Sequence, residues 1–361
     1  MSNQYTDKMK NLLYILMAVA MITTSCKKDK PTQDDTTSEA YDLRDGLWWI
    51  NEGAFNGNNG SIDVITSEGR IAKDAFKQTN GTGLGDVLQR VNVFGDLAVA
   101  VVNGSNQVVI MNTSDMKVIR VIADLDYPRD AIIVDDVIYI AQGALAGKVG
   151  KYNVGTGALL DEVNVGQGPE RLLGNNGQLW VLNSGGWAVD NTISIVDLGT
   201  FSVLQNIVVH DRPLDIEFDE ISNKVMVLCS GDILYDANWN VTGHTASAIY
   251  WIDAVGFDFS YFELADQGVH PKSIAWSKTR SELYLANQGI DVFDGQGNEI
   301  CNGCWTGDAY TVDADNDGNV WITSTPDFSS DGIMSKVNAS DWSTVASYSS
   351  GIGTSAVVDQ R

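Results

Sequence analysis

Leu47-Trp48-Trp49-Ile50-Asn51-Glu52-Gly53 is a short apolar run that ends in polar residues and a glycine. The chain repeats it at 97–104, 137–143, 179–185, 225–231, 283–289 and 320–326. Each copy precedes a second apolar stretch, at 61–66, 107–112, 148–154, 192–198, 248–254, 289–294 and 332–338, often with Asp or Asn near its end. Short Val/Ile/Trp-rich runs bounded by Gly, Asn and Asp read as β-strands. A third element precedes the runs: Tyr127-Pro128-Arg129-Asp130, Gly168-Pro169-Glu170-Arg171, Arg212-Pro213-Leu214-Asp215 and His270-Pro271-Lys272-Ser273. Weaker copies are Leu84-Gly85-Asp86 and Gly307-Asp308-Ala309-Tyr310. Proline suits the start of a strand, where no ladder N–H is lost.

Residues 46–361 shared among seven copies give about 45 residues each, the period of a four-stranded propeller blade. The reading is therefore all-β, a seven-bladed β-propeller, a ring that leaves only short, protected sheet edges. The first copy lacks an inner strand, and Gly353-Thr354-Ser355-Ala356-Val357-Val358-Asp359 supplies one at the other end. Residues 353–359 are thus expected to join residues 46–77 in blade 1 and close the ring.

Composition excludes several functions. With 23 Lys+Arg against 47 Asp+Glu the formal charge is −24, which disfavours nucleic-acid binding and adsorption to anionic lipid. Hydrophobic residues at 44% are enough for a packed core. The 4 Cys and 3 His make neither a disulfide scaffold nor a paired zinc pattern. The chain carries no Gly-x-Ser-x-Gly, HExxH or Walker motif. The expectation is a non-enzyme without a resident cofactor, a lyase or hydrolase built on His270 and Glu170 being the catalytic alternative.

The N-terminal segment reads as an address and a tether. Lys8 and Lys10 precede an apolar run from Leu12 to Ile22, then Thr23-Thr24-Ser25-Cys26 and Lys27-Lys28-Asp29. The run is shorter than the roughly 20 residues a bilayer-spanning helix needs. A basic region, an apolar core and small residues before a cysteine form a lipoprotein signal over 1–25, with Thr23 where Leu is usual and Cys26 as the lipidated residue. Plain secretion with a coincidental cysteine is the alternative. Residues 26–45 are polar and charged, a flexible tether that would hold the propeller over 46–361 near a membrane.

Binding groups are expected on the face that carries the proline-type segments. Asp86, Arg129, Asp130, Glu170, Arg171, Asp215, Lys272 and Tyr310 converge there, as a ring of salt bridges, as ligand contacts, or as both. Loops between second and third strands add Phe55 and Asn58, Trp187, Tyr235, Trp239 with His244, and Phe328. Aromatics among Gly and Asn suit a large, partly apolar ligand that forms hydrogen bonds. Asp313-Ala314-Asp315-Asn316-Asp317-Gly318-Asn319 is half of a calcium loop, but Ser324 stands where an EF-hand needs Glu. Asp313, Asp315 and Asp317 are calcium candidates, with hairpin-turn chemistry as the other reading. Cys301-Asn302-Gly303-Cys304 in an exported protein reads as a tight disulfide, and Cys229 as a buried thiol.

The lipobox with Lys-Lys-Asp resembles lipoproteins of the Bacteroidota. Residues 47–55, Asn59-Gly60-Ser61, Asn80-Gly81, Leu84-Gly85-Asp86, Pro128-Arg129 and Gly168-Pro169-Glu170-Arg171 resemble YncE-like surface-lipoprotein propellers of that phylum, over nearly the whole mature chain. The BtuG-type relatives capture cobalamin and hand it to a TonB-dependent outer-membrane transporter. The resemblance implies a lipid-anchored, cell-surface protein of the outer membrane that binds a corrinoid (vitamin B12) as ligand rather than cofactor. Another transported ligand (siderophore, haem or peptide) and a protein-interaction scaffold are the alternatives.

Overall fold

The computed structural model describes residues 43–266 and 268–360. The expected leader, Cys26 and the tether up to residue 42 lie outside the described residues. Among the described residues, the chain forms seven four-stranded antiparallel sheets and one two-stranded hairpin. The sheets follow one another as blades 1 to 7, and the fold class expected from the repeats is the one observed.

The inner strands are Thr354–Asp359 in blade 1, Leu88–Phe94 in blade 2 and Asp130–Val134 in blade 3. Pro169–Asn175, Pro213–Asp219, Ile274–Ser277 and Thr311–Ala314 serve blades 4 to 7. Blade 1 closes the ring as expected. Trp48 pairs with Val358, Trp49 with Val357 and Ile50 with Ala356, while Gly46–Asn51 pairs with Ser61–Thr66 on its other side.

Side chains alternate between the two faces of a strand, and here each face is covered by a neighbouring blade. Trp48 therefore packs with Ala98, Ala100 and Val102 of blade 2, while Trp49 packs with Trp321 and Met334 of blade 7. Both indoles are fully buried. Similar apolar layers separate every other pair of neighbours, such as Ile138 against Val101 and Trp251 against Phe293. Burial on both faces is why the second strands read as continuous apolar runs rather than alternating ones.

Three details were not legible beforehand. Leu43–Asp45, assigned to the tether by composition, is a 3-10 turn with Leu43 buried, and its carbonyl accepts from Trp48 Nε1 at 2.9 Å. A short helix, Ala75–Asn80, follows the two-residue outer strand Ile71–Ala72 of blade 1 and buries Phe76. The long loop of blade 5 folds into a hairpin, Ile233–Tyr235 with Val241–His244. Cys301 and Cys304 are disulfide-bonded on the outer strand Glu299–Thr306, and Cys229 is a buried free thiol.

Candidate functional site

The inner strands begin with irregularities that shape the channel. Register shifts fall between Leu88 and Arg90, Pro169 and Arg171, and Pro213 and Asp215, and opposite Ile50/Asn51 at Ser355. A bulge inserts one unpaired residue and re-aims its neighbours. The bulged residues Gln89, Glu170, Leu214 and Ser355 all line one cavity, and so do Arg90, Arg171 and Asp215, which follow three of them. Gly168 makes the blade 4 lead-in possible. Its φ is +51°, and a Cβ there would collide with the backbone of Gly185 and Gly186.

The cavity occupies about 380 Å3 in the central channel. At its mouth Arg129 grips Glu170 through two hydrogen bonds, Nε to Oε2 and Nη2 to Oε1, both 2.7 Å, and donates a third to Gln89. Arg171 donates to Glu170 Oε1 at 3.2 Å and to Asp215 Oδ1 at 3.4 Å. Burial opposes the charge of Arg129, but Glu170 outweighs it and raises the guanidinium pKa further. Tyr310 donates to Glu52 Oε1 at 2.9 Å, and burial pushes the Glu52 carboxyl above its ordinary range despite that bond. Lys272 Nζ lies 5.7 Å from the Tyr310 ring centroid, and Phe328 meets the same ring edge-on at 5.5 Å.

Deeper in the channel stand Arg90, Glu217 and Asp313. Burial, and then the neighbouring Asp215 charge, pushes Glu217 up to about 8. Burial likewise pushes Asp313 up to about 8, against the N–H of Val357 that it accepts. These two carboxyls hold protons near neutral pH.

A second cavity of about 280 Å3 adjoins the first and shares Lys272, Tyr310 and Phe328 with it. Asn287 and Thr325 are among its lining residues, and their Oδ1 and Oγ1 atoms are buried beneath its surface without hydrogen-bond partners. His270 also lines it. Its Nδ1 donates to the carbonyl of Ser230 at 2.7 Å, and its Nε2 shares a hydrogen bond with His244 Nδ1 at 2.9 Å. Glu170 lines the other cavity and is held by two arginines, so the two members of the catalytic alternative are engaged elsewhere and not with each other.

Of the expected residues, Arg129, Glu170, Arg171, Lys272, Tyr310 and Phe328 come together around the cavities. Asp86 and Asn58 do not line them. The Asp86 carboxylate accepts from the backbone N–H groups of Asn56 and Asn58 at 3.1 and 3.3 Å and so caps the 53–60 loop. Asp130 is buried and structural, accepting from Asn92, Ala131 and Leu172. Phe55, Trp187 and Trp239 are 78%, 73% and 82% exposed and stand outside the cavity walls. Trp187 nonetheless touches Tyr127 at 5.8 Å, and Tyr127 lies under the Arg129 guanidinium at 5.4 Å. Tyr235 and Trp239 pair at 5.9 Å on the blade 5 hairpin.

Asp313 faces the channel, whereas Asp315 accepts from Asn319 and from Trp321 Nε1 and organises the hairpin turn. Among the described residues no three His, Cys, Asp or Glu side chains are grouped to hold a metal.

Sequence reasoning missed Glu52, Gln89, Arg90, Glu217 and Ser355. Glu217 and Asp313 lie two residues beyond Asp215 and Thr311, so the period of a strand would have found them. Arg90 and Ser355 were hidden by the bulges, which shift the facing by one residue.

Likeness to solved structures is one of fold. A Kuenenia stuttgartiensis hydrazine synthase chain superposes with a TM-score of 0.59 at 12% identity, over 82% of this chain and 96% of that one. The computationally designed Ika8 protein matches at 0.56 and 11%, over 85% and 89%. Dihydro-heme d1 dehydrogenase NirN matches at 0.52 and 15%, over 71% of this chain and 54% of its own. No curated protein matches the sequence. Residues 45–281 match the family profile described as a domain of unknown function, DUF5074, a span of well over half the chain. The chain belongs to the DUF5074 family.

Proposed function

We propose that this protein is a ligand-binding propeller that holds a large, amide-bearing molecule over the channel mouth. The observation that carries the reading is the pair of adjoining cavities sharing Lys272, Tyr310 and Phe328. Their lining combines Lys272, Asn287 and Tyr310, polar side chains that suit the amides of a ligand. Phe328 supplies apolar surface between them, and the rigid ring lowers the ordering cost of binding.

A corrinoid fits these requirements. Its fringe of amides matches the polar walls and its apolar edges match Phe328 and Tyr310. The resemblance to cobalamin-capturing lipoproteins points the same way. The chain enters the propeller at Leu43, bonded to Ser114. The mouth residue Glu52 lies beyond the far end of Gly46–Asn51, a strand about 20 Å long. A lipid at Cys26 would hold the propeller beside a membrane, where it would pass the ligand to a TonB-dependent transporter.

Calorimetric titration of the full-length protein with cyanocobalamin tests the reading. One-to-one binding that weakens in Phe328→Ala and Asn287→Ala is expected. No heat at micromolar concentrations overturns the corrinoid assignment and leaves another transported ligand, such as a siderophore, haem or peptide.

A further inference from the structure

The disulfide on the outer edge of blade 6 is linked to a cavity wall. Glu299–Thr306 is the outermost strand of its sheet and pairs with Gly289–Asp294. Ile290 pairs with Trp305 and Val292 with Cys301, so Asp291 alone faces Asn302, Gly303 and Cys304. The extra residues leave the ladder as a bulge, and the Cys301–Cys304 bond closes it. Asn302 and Gly303 are exposed, and both cysteines are half-buried. Gly303 turns through a φ of +62°, a conformation that other residues rarely adopt.

Under the bulge lies Asp291, only 2% exposed. Its Oδ1 accepts from the Gly303 N–H and its Oδ2 from Asn287 Nδ2, both at 2.7 Å. Asn287 stands on the turn that joins Glu282–Ala286 to Gly289–Asp294, and it lines the smaller cavity with Lys272, Tyr310 and Phe328. Two hydrogen bonds through one buried side chain therefore connect an edge-strand disulfide to the wall of the binding site. A cross-link removes alternative conformations from the segment it closes. Without it, a bulge that contains glycine samples conformations in which the Gly303 N–H faces water, and a buried acceptor that loses its donor is costly. Asp291 regains a donor only by turning, and turning gives up its bond to Asn287.

We propose that Cys301–Cys304 is a thiol–disulfide exchange site that holds the smaller cavity in its binding shape, and that a dithiol opens it. The proposal rests on the binding reading above and adds its regulation. One thiolate of the dithiol attacks the Sγ of one cysteine, the Sγ–Sγ bond breaks, and the other cysteine leaves as a thiolate. The second thiolate of the reagent then attacks the mixed disulfide and frees the first cysteine. Two electrons and two protons pass to the cysteines, and the dithiol becomes a cyclic disulfide. The bulge is released, Gly303 leaves Asp291, and Asn287 loses its fixed orientation in the wall. The buried thiol of Cys229 takes no part.

The test uses the full-length protein, either oxidised or reduced with dithiothreitol that is then removed without air. Amide hydrogen exchange read by mass spectrometry needs no ligand. Peptides covering residues 287–291 and 301–306 should exchange about fivefold faster after reduction, and peptides from blade 1 should not change. In calorimetric titration, cyanocobalamin should bind the reduced protein about fivefold more weakly, the worth of one hydrogen bond. Cys301→Ser with Cys304→Ser should match the reduced parent whether or not dithiothreitol was used. Asn287→Ala should respond to reduction by less than about twofold, because the coupled partner is gone. A cross-link that only supports the fold would weaken binding equally in the parent and in Asn287→Ala, and that result overturns the proposal. Unchanged exchange over 287–291 overturns it too, as does equal cyanocobalamin affinity in the two redox states. If cyanocobalamin binds neither state, the corrinoid assignment falls and the exchange over 287–291 alone decides the latch.

Discussion

The side-chain oxygen of Asp313 in blade 7 accepts a 2.8 Å hydrogen bond from the backbone N–H of Val357 in blade 1. Asp130 makes the same link to Leu172 at 2.9 Å, between blades 3 and 4, and Asp215 to Ile274 at 3.1 Å, between blades 5 and 6. Inner strands are sheet edges, and their channel-side N–H groups have no ladder partner. A buried donor must find an acceptor, and carboxylates from the preceding blade supply it. The seam where the chain ends meet is thus sewn with the same stitch as two other junctions of the ring.

Removing that seam should be costly. Deleting residues 352–361 exposes Trp48 and Trp49 and frees the inner edge of Gly46–Asn51. The cooperative thermal transition should broaden and fall to lower temperature, read by circular dichroism. Unchanged melting would show that the closing strand contributes nothing. Trp49→Ala, which empties a fully buried site between blades 7 and 1, should cost about 3–5 kcal/mol in denaturant unfolding.

Arg129 and Glu170 form a largely buried pair, with side chains 18% and 6% exposed. Arg129→Ala leaves the Glu170 carboxylate with only Arg171 and should destabilise the protein by about 3–5 kcal/mol. Arg129→Met with Glu170→Gln removes both charges and should cost less than Arg129→Ala alone. Urea unfolding of the three proteins decides; equal stabilities would mean that the pair is solvated and idle.

The two deep carboxyls give stability a pH dependence of known sign. Glu217 and Asp313 are raised from 4.5 and 3.8 to about 8. Between those limits the native state holds protons that the unfolded state has released, so stability falls as pH rises. The stabilisation is fully present below about pH 4 and lost by about pH 8. Each group contributes a slope of roughly 1 kcal/mol per pH unit inside its window. Melting temperatures across pH 5–9 should decline in the parent and flatten in Glu217→Gln. A parent profile that rises with pH over this range would refute the protonated floor.

The aromatic residues should divide into two classes. Phe328 lines both cavities, whereas Trp239 stands on a hairpin outside them. Phe328→Ala should weaken cyanocobalamin binding about tenfold and Trp239→Ala by less than about threefold, both with unchanged melting. A larger loss in Trp239→Ala would move the site onto the blade 5 hairpin.

The sequence by itself determined the number of blades, the order of strands and the closing strand at 353–359. Those depend on local alternation and on a repeated period, and each copy of the run at 47–53 carries the full signal. It also marked Arg129, Glu170, Lys272 and Tyr310, because proline-type segments place the residues beside them at strand starts. Only the tertiary structure decided that Asp86 caps a loop, that Trp187 reaches the channel through Tyr127, and that His244 bonds to His270. It alone placed Arg90 and Ser355 on the channel floor. A bulge shifts the facing of a strand by one residue, and whether a strand bulges depends on what its neighbours in the ring leave room for. Burial does the rest: two ordinary carboxyls, Glu217 and Asp313, are pushed up to about 8 only when seven blades close around them.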